Sequence, residues 1–189
     1  MSTYPLRKNT AAITILAMIS ALGVVSRMFL RFTIVPGLLE LTPGFLFSEL
    51  GGVVGGAFGG ILVGAIVGIS GALGGGEFPI LPLIGNIALG LGTGIAVHIE
   101  RDRTRRSYAA IAILGGGLIG GFLPTLGISL WLFYPLEAAI FSAVLDGAQA
   151  VLWAIVALVV ERIAIRPVAG PYLYQNLHAG NQPLEETSE

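Results

Sequence analysis

Four polar residues in an otherwise apolar C-terminal stretch, Ser142, Asp146, Gln149 and Trp153, follow spacings of four, three and four. At 3.6 residues per turn that spacing lines one helical face with a hydroxyl, a carboxylate, an amide and an indole N–H. Together they form a stripe able to hydrogen-bond a ligand edge. Asp146 lies nine residues beyond Glu137, about 13 Å along a helix rising 1.5 Å per residue. Glu49 and Asn86 each fall about 9 Å inside their own apolar stretches by the same arithmetic. Glu40, Glu77 and Glu137 fall at the mouth above them, with Phe45, Phe78, Trp131 and Tyr134 nearby. Aromatic rings stack flat molecules, while carboxylates and amides read their edges, so the grouping predicts a binding pocket. The competing explanation is structural, with Glu49 or Asp146 pairing Arg27 and Gln149 bonding a neighbouring helix.

Catalysis finds little support in these residues. Asp146-Gly147 starts like the Asp-Gly of membrane CDP-alcohol phosphotransferases, but the later aspartates needed to hold two metal ions are missing. His98 has no second ligand at metal-binding spacing. There is no P-loop, GxSxG or HExxH, so the chain has no means of hydrolysing ATP by itself. We expect a protein that is not an enzyme, with no metal, no cofactor and no nucleic-acid partner. The run ERDRTRRS at 100–107 is read as membrane-side anchoring.

The elements that must hold these groups are set by composition. With 54% hydrophobic residues, 11% charged and a mean hydropathy of +0.86, the 189-residue chain is far from a soluble domain, which averages about 25% charged. Spans of roughly 20 residues fill the length from 11 to 160. The N-terminal apolar run, Ala11 to Leu30, is too long for a signal peptide and lacks a cleavage site; it reads as helix 1. The apolar loop from Phe32 to Gly44, broken by Pro36 and Pro43, is expected to fold back as a lid or plug.

The glycine-rich stretch 44–76 is expected to form two helices, Phe45 to Ala57 and Gly60 to Leu73. One straight helix would be about 48 Å long, against a hydrocarbon core of about 30 Å. Helix 4 follows at Ile80–His98, helix 5 at Tyr108–Tyr134 with a kink at Pro124, and helix 6 at Leu136–Val160. The expectation is an all-α membrane protein: a compact bundle of six transmembrane helices over 1–166, then a disordered polar cytoplasmic tail, 167–189. With both termini inside, Arg7, Lys8, Arg101, Arg103, Arg105, Arg106, Arg162 and Arg166 fall on the cytoplasmic side, leaving Arg27 and Arg31 outside.

This pattern resembles the substrate-binding S component of energy-coupling factor transporters. The resemblance covers about residues 11–163. It rests on Ala17xxxAla21 in helix 1, the hairpin LGGVVGGAFGGILVGAIVGISGALG and the segment FPILPLIGNIALGLGTGI. It implies a multi-pass protein of the plasma membrane that captures a water-soluble vitamin or precursor from outside. Its partners would be a transmembrane coupling protein, contacted through Ala17 and Ala21, and two cytoplasmic ATPases. By location the resemblance places Glu40, Glu77, Asn86, Trp131, Tyr134, Asp146 and Gln149 at the pocket; Glu49 joins them because burying a carboxylate is costly. The alternative is a self-sufficient ion-coupled carrier or small channel, with Asp146 or Glu49 as its proton site. A third possibility is an assembly subunit without a ligand.

Overall fold

Asn9 starts the first helix. The computed structural model describes residues 6, 9–30, 32–35, 39–75 and 80–174. The Asn9 side-chain oxygen accepts from the Ala12 N–H at 2.9 Å, capping α1 (Thr10–Phe29), and its amide donates to the Tyr172 carbonyl at 2.8 Å. One side chain thus satisfies a helix start and ties it to the far end of the chain. After α1, strands β1 (Phe32–Val35) and β2 (Leu39–Leu41) pair antiparallel. The expected fold-back loop therefore contains a small β-hairpin.

Helix α2 (Gly44–Gly75) contains the sharpest event in the fold. Gly56 has φ 66° and ψ −167°, a conformation open almost only to glycine, and there the chain turns back. A β-carbon on Gly51 would come within 2.6 Å of Val63 Cβ; in a straight helix these residues would stand about 18 Å apart. The stretch is therefore two antiparallel legs, with the break at Gly56 rather than between Ala57 and Gly60.

The second leg packs antiparallel against α3 (Ile80–Gly94) at almost no separation. A β-carbon on Gly60 would meet the Gly90 carbonyl oxygen at 2.0 Å, and one on Gly90 would meet the Gly60 oxygen at 2.1 Å. Backbone touches backbone, and small residues at membrane helix seams permit that approach.

A short α4 (Ala96–Ile99) and a polar loop lead to the next crossing. It is built from α5 (Arg106–Leu114), a π-helical segment (Gly115–Phe122) and α6 (Leu123–Trp131). The expected irregularity at Pro124 is the π segment just before it. Proline lacks the N–H that would continue the ladder, and Leu123 N–H reaches back five residues to the Leu118 carbonyl. Helix α7 runs Leu136–Val160, matching the expected bounds. It continues through a π turn (Glu161–Ile165) into α8 (Arg166–Leu173). Residues 167–173, expected in the polar tail, instead continue this helix, and Leu173 and Tyr174 are buried; the rest of that expected tail lies outside the described residues.

Five helices, Thr10–Phe29, Gly44–Leu73, Ile80–Ile99, Arg106–Trp131 and Leu136–Leu173, are long and apolar enough to cross a membrane. Their outer faces expose Ile13, Leu22, Val25, Phe29, Val144, Ile155 and Val159, while Glu49, Asn86, Thr93 and Gln149 are buried. Apolar side chains outside and polar ones inside is the reverse of a water-soluble bundle. The chain is a multi-pass membrane protein by this criterion.

One end of the bundle is tied shut. Leu6 pairs with Tyr174, so the described chain ends meet there. Arg103 donates to the Val53 carbonyl and, at 3.2 Å, to that of Val54. These are carbonyls the turn at Gly56 leaves without helical partners. The Arg103 guanidinium also lies 4.2 Å from the Tyr174 ring centroid and 5.7 Å from that of Tyr108. Beside it the fully buried Glu161 accepts from Arg166 at 2.6 and 3.0 Å and from the Tyr174 hydroxyl at 2.8 Å. Each buried charge here has its partner.

Candidate functional site

The opposite end is open. The end of α1, the start of α2, the first two-thirds of α3, the end of the π segment with α6, and the middle of α7 surround a partly open cavity of about 210 Å³. That is roughly the liquid volume of seven waters at about 30 Å³ each, which suits a small molecule. Its polar wall is Arg27, Asn86, Thr125, Ser129 and Asp146; Phe45, Leu89 and Ile128 supply apolar surface.

Each polar group is held by its neighbours. The guanidinium of Arg27 lies over Gly71, where a β-carbon would approach Nε to 2.7 Å. Its Cζ stands 5.9 Å from the Phe45 ring centroid. Gly71 thus leaves the room that lets a charged side chain from α1 lie flat inside the bundle. Across the cavity, Thr125 Oγ1 donates to Asp146 Oδ2 at 2.6 Å, fixing the carboxylate. Among the described residues Asp146 is in no direct ion pair. Asn86 is bonded to the protein through both its oxygen and its nitrogen. Ser48 Oγ donates to its oxygen at 2.7 Å, and its nitrogen donates to the Pro82 carbonyl at 2.8 Å.

The π segment shapes the wall between α3 and α7. A β-carbon on Gly120 would sit 2.7 Å from Leu89 Cα, and one on Gly121 would sit 2.6 Å from the Asp146 carbonyl. The wide turn therefore draws three helices together beside Asp146, a setting in which π bulges recur at functional sites.

The expected site residues separate into groups. Asn86 and Asp146 line the cavity. Gln149 is buried about one turn deeper on α7 and outside the lining. Trp131 and Tyr134 are exposed at the rim, on either side of Phe133, which has φ 60° and is 94% exposed. Outward aromatics at a helix end suit the membrane interface. Glu40 lies in β2 opposite Thr33, and Glu77 lies outside the described residues.

Glu49 stands apart from the cavity. It is fully buried, and neither carboxylate oxygen has a hydrogen-bond partner among the described residues. It points toward the π segment, where a β-carbon on Gly116 would come 2.9 Å from Oε1. Above it, Thr93 Oγ1 lies 3.1 Å from the Glu49 carbonyl oxygen. Ala17 and Ala21 are exposed on the outer face of α1.

Sequence reasoning missed Thr125 and Ser129, and treated Arg27 only as a counter-charge. Thr125 and Ser129 are spaced four apart in an apolar helix. That was the available signal, the same one that revealed the α7 stripe.

The fold and cavity together define a multi-pass membrane protein with an internal polar pocket near one end. The chain matches no protein-family model and no curated protein.

Proposed function

We propose that this protein is the substrate-capture subunit of an ATP-driven importer of the energy-coupling factor type, taking a water-soluble vitamin or precursor from outside the plasma membrane. The observation that carries the reading is the polar cavity at one end of a bundle whose other end is tied by Arg103 and Glu161. A site open to one side and sealed from the other captures, and needs a further step to release. The reversal at Gly56 supports six crossings. Leu6 and Tyr174 pair at the end that carries Arg101, Arg103, Arg105 and Arg106; the positive-inside rule assigns that end to the cytoplasm and the cavity to the outer face. Without a nucleotide motif the engine must be external, namely two cytoplasmic ATPases and a coupling protein. Ala17 and Ala21, exposed one turn apart on α1, offer that coupling protein a place for close helix packing.

The test is thermal unfolding of the purified protein against a panel of water-soluble vitamins and precursors. A ligand at about a hundred times its Kd adds about 2.7 kcal/mol, enough to raise the midpoint by several degrees. One stabilising compound supports the proposal. The absence of any, in the panel and in material retained from cells, removes it.

A second reading has one observation in its favour. Glu49 is a buried carboxylate without a bonded partner among the described residues, as a proton site in an ion-coupled carrier would be. Such a carrier would move substrate by itself in liposomes under a proton gradient.

A further inference from the structure

The polar groups of the cavity wall differ in how far the protein itself occupies them. Arg27 is engaged within the protein, and Asn86 is bonded through its oxygen and its nitrogen. Asp146 is only half occupied. Thr125 donates to one of its oxygens, while the other accepts no bond and is in no ion pair among the described residues. That oxygen is not sealed in the core as those of Glu49 are, so it stands at the cavity as a hydrogen-bond acceptor.

Gly85 is the second feature. On α3 the cavity touches Leu81, Pro82, Gly85, Asn86 and Leu89, which share one helical face with Gly85 at its centre. Glycine is unfavourable inside a helix, and elsewhere on this seam close packing explains it. A β-carbon on Gly64 would meet the Asn86 carbonyl oxygen at 2.2 Å, and one on Gly68 would meet Leu83 Cα at 2.7 Å. At Gly85 nothing lies within 4 Å. No described neighbour needs the room, and the cavity takes it. Gly127 has equally open surroundings but is exposed and outside the lining.

From these two features we infer that the substrate is a small molecule lying against the bare backbone at Gly85, with an amino or ring N–H group donating to Asp146, and that Gly85 sets the size the cavity admits. The inference rests on the substrate-capture reading and narrows it to nitrogen-bearing hydrogen-bond donors. A carboxylate or phosphate brought to the open oxygen of Asp146 would set like charge against like in a partly desolvated site. An N–H there gains a charge-assisted hydrogen bond.

The experiment sorts the vitamin and precursor panel into members with an amino or ring N–H donor and members without one, and adds native mass spectrometry of any small molecule retained from the expressing cells. Stabilisation by donor-bearing members, or a retained molecule of that kind, is the expected result. A tight ligand without an N–H donor overturns the inference and leaves the capture reading standing. No ligand of any class overturns both.

The bound ligand is then measured against Gly85→Ala, with Gly127→Ala as the matched change outside the cavity. Each removes an unfavourable glycine and should hold or raise the unfolding midpoint of the free protein. Only Gly85→Ala should weaken the ligand, by about tenfold or more, because a methyl group is forced into a filled site. Unchanged binding in Gly85→Ala, an equal loss in Gly127→Ala, or a fall in the Gly85→Ala midpoint overturns the role of Gly85. The nearly isosteric Asp146→Asn should weaken the ligand about thirty-fold, since a hydrogen bond to a charged group is lost. An analogue lacking the N–H should bind the wild type as weakly and lose nothing further in that variant. Additive losses would place the donor elsewhere and contradict the contact with Asp146.

Discussion

Both ends of this bundle hold a buried guanidinium and an acidic group, yet they use them oppositely. At the end where Leu6 and Tyr174 pair, Arg103 is spent on the carbonyls freed by the turn at Gly56, and Glu161 is saturated by Arg166 and Tyr174. At the other end, Arg27 and Asp146 line a volume. A charge fully bonded within the protein fixes geometry. A side chain that lines a volume is also placed to touch what enters it. The difference explains why one end is read as a clasp and the other as a site, although their residue types are nearly the same.

The largest effect should come from breaking the clasp. Arg166→Met leaves Glu161 buried without its cation, a change that costs about 3–5 kcal/mol. Unfolding in detergent should show that loss, and adding Glu161→Gln should recover much of it. Next is Asp146→Asn at the open end, expected to cost at least about 2 kcal/mol in ligand binding while moving the unfolding midpoint little. If it destabilises as strongly as Arg166→Met, the contrast between the ends collapses. Smaller again, replacing the unpartnered Glu49 with Met should stabilise by about 1 kcal/mol, since a buried polar group without a bond costs at least that. Unfolding midpoints report it, and loss of ligand binding in this variant would give Glu49 a role in the site.

The smallest effect concerns pH at the clasp-end loop. A backbone N–H from Asp102 and the hydroxyl of Ser107 hold Glu100 below its ordinary value. The hydroxyl and N–H of Thr104 do the same for Asp102. Carboxyls lowered in the folded state stabilise above their unfolded values, and that contribution is lost as pH falls through the folded ones. Acidification through and below the usual carboxylate range should therefore loosen residues 100–105, seen as faster amide exchange there, with little change at the cavity.

What could be read in the sequence followed from periodicity and composition. The bounds of α7, the fold-back of the glycine-rich stretch and the inward placement of Asp146 and Asn86 at the cavity all rest on 3.6-residue spacing or on length against a bilayer. What escaped lies where that spacing fails. Arg166 reaches Glu161 across five residues because a π turn brings them to one side, whereas the sequence read the segment after Val160 only as leaving the membrane and Pro167 as the start of the tail. Trp131 and Tyr134 flank a left-handed residue, Phe133, which no helical count anticipates. Arg27 entered the sequence reading only as a counter-charge that Glu49 or Asp146 could pair with. Its place in the wall depends on Gly71, on a different helix, being small.

The most direct test of the central claim is to place the purified chain alone in liposomes, impose a proton gradient, and follow a ligand identified from the panel. The account predicts saturable binding with no accumulation inside, and uptake only once the coupling protein, the ATPases and ATP are supplied. Gradient-driven accumulation by the chain alone would contradict it and establish the carrier in its place.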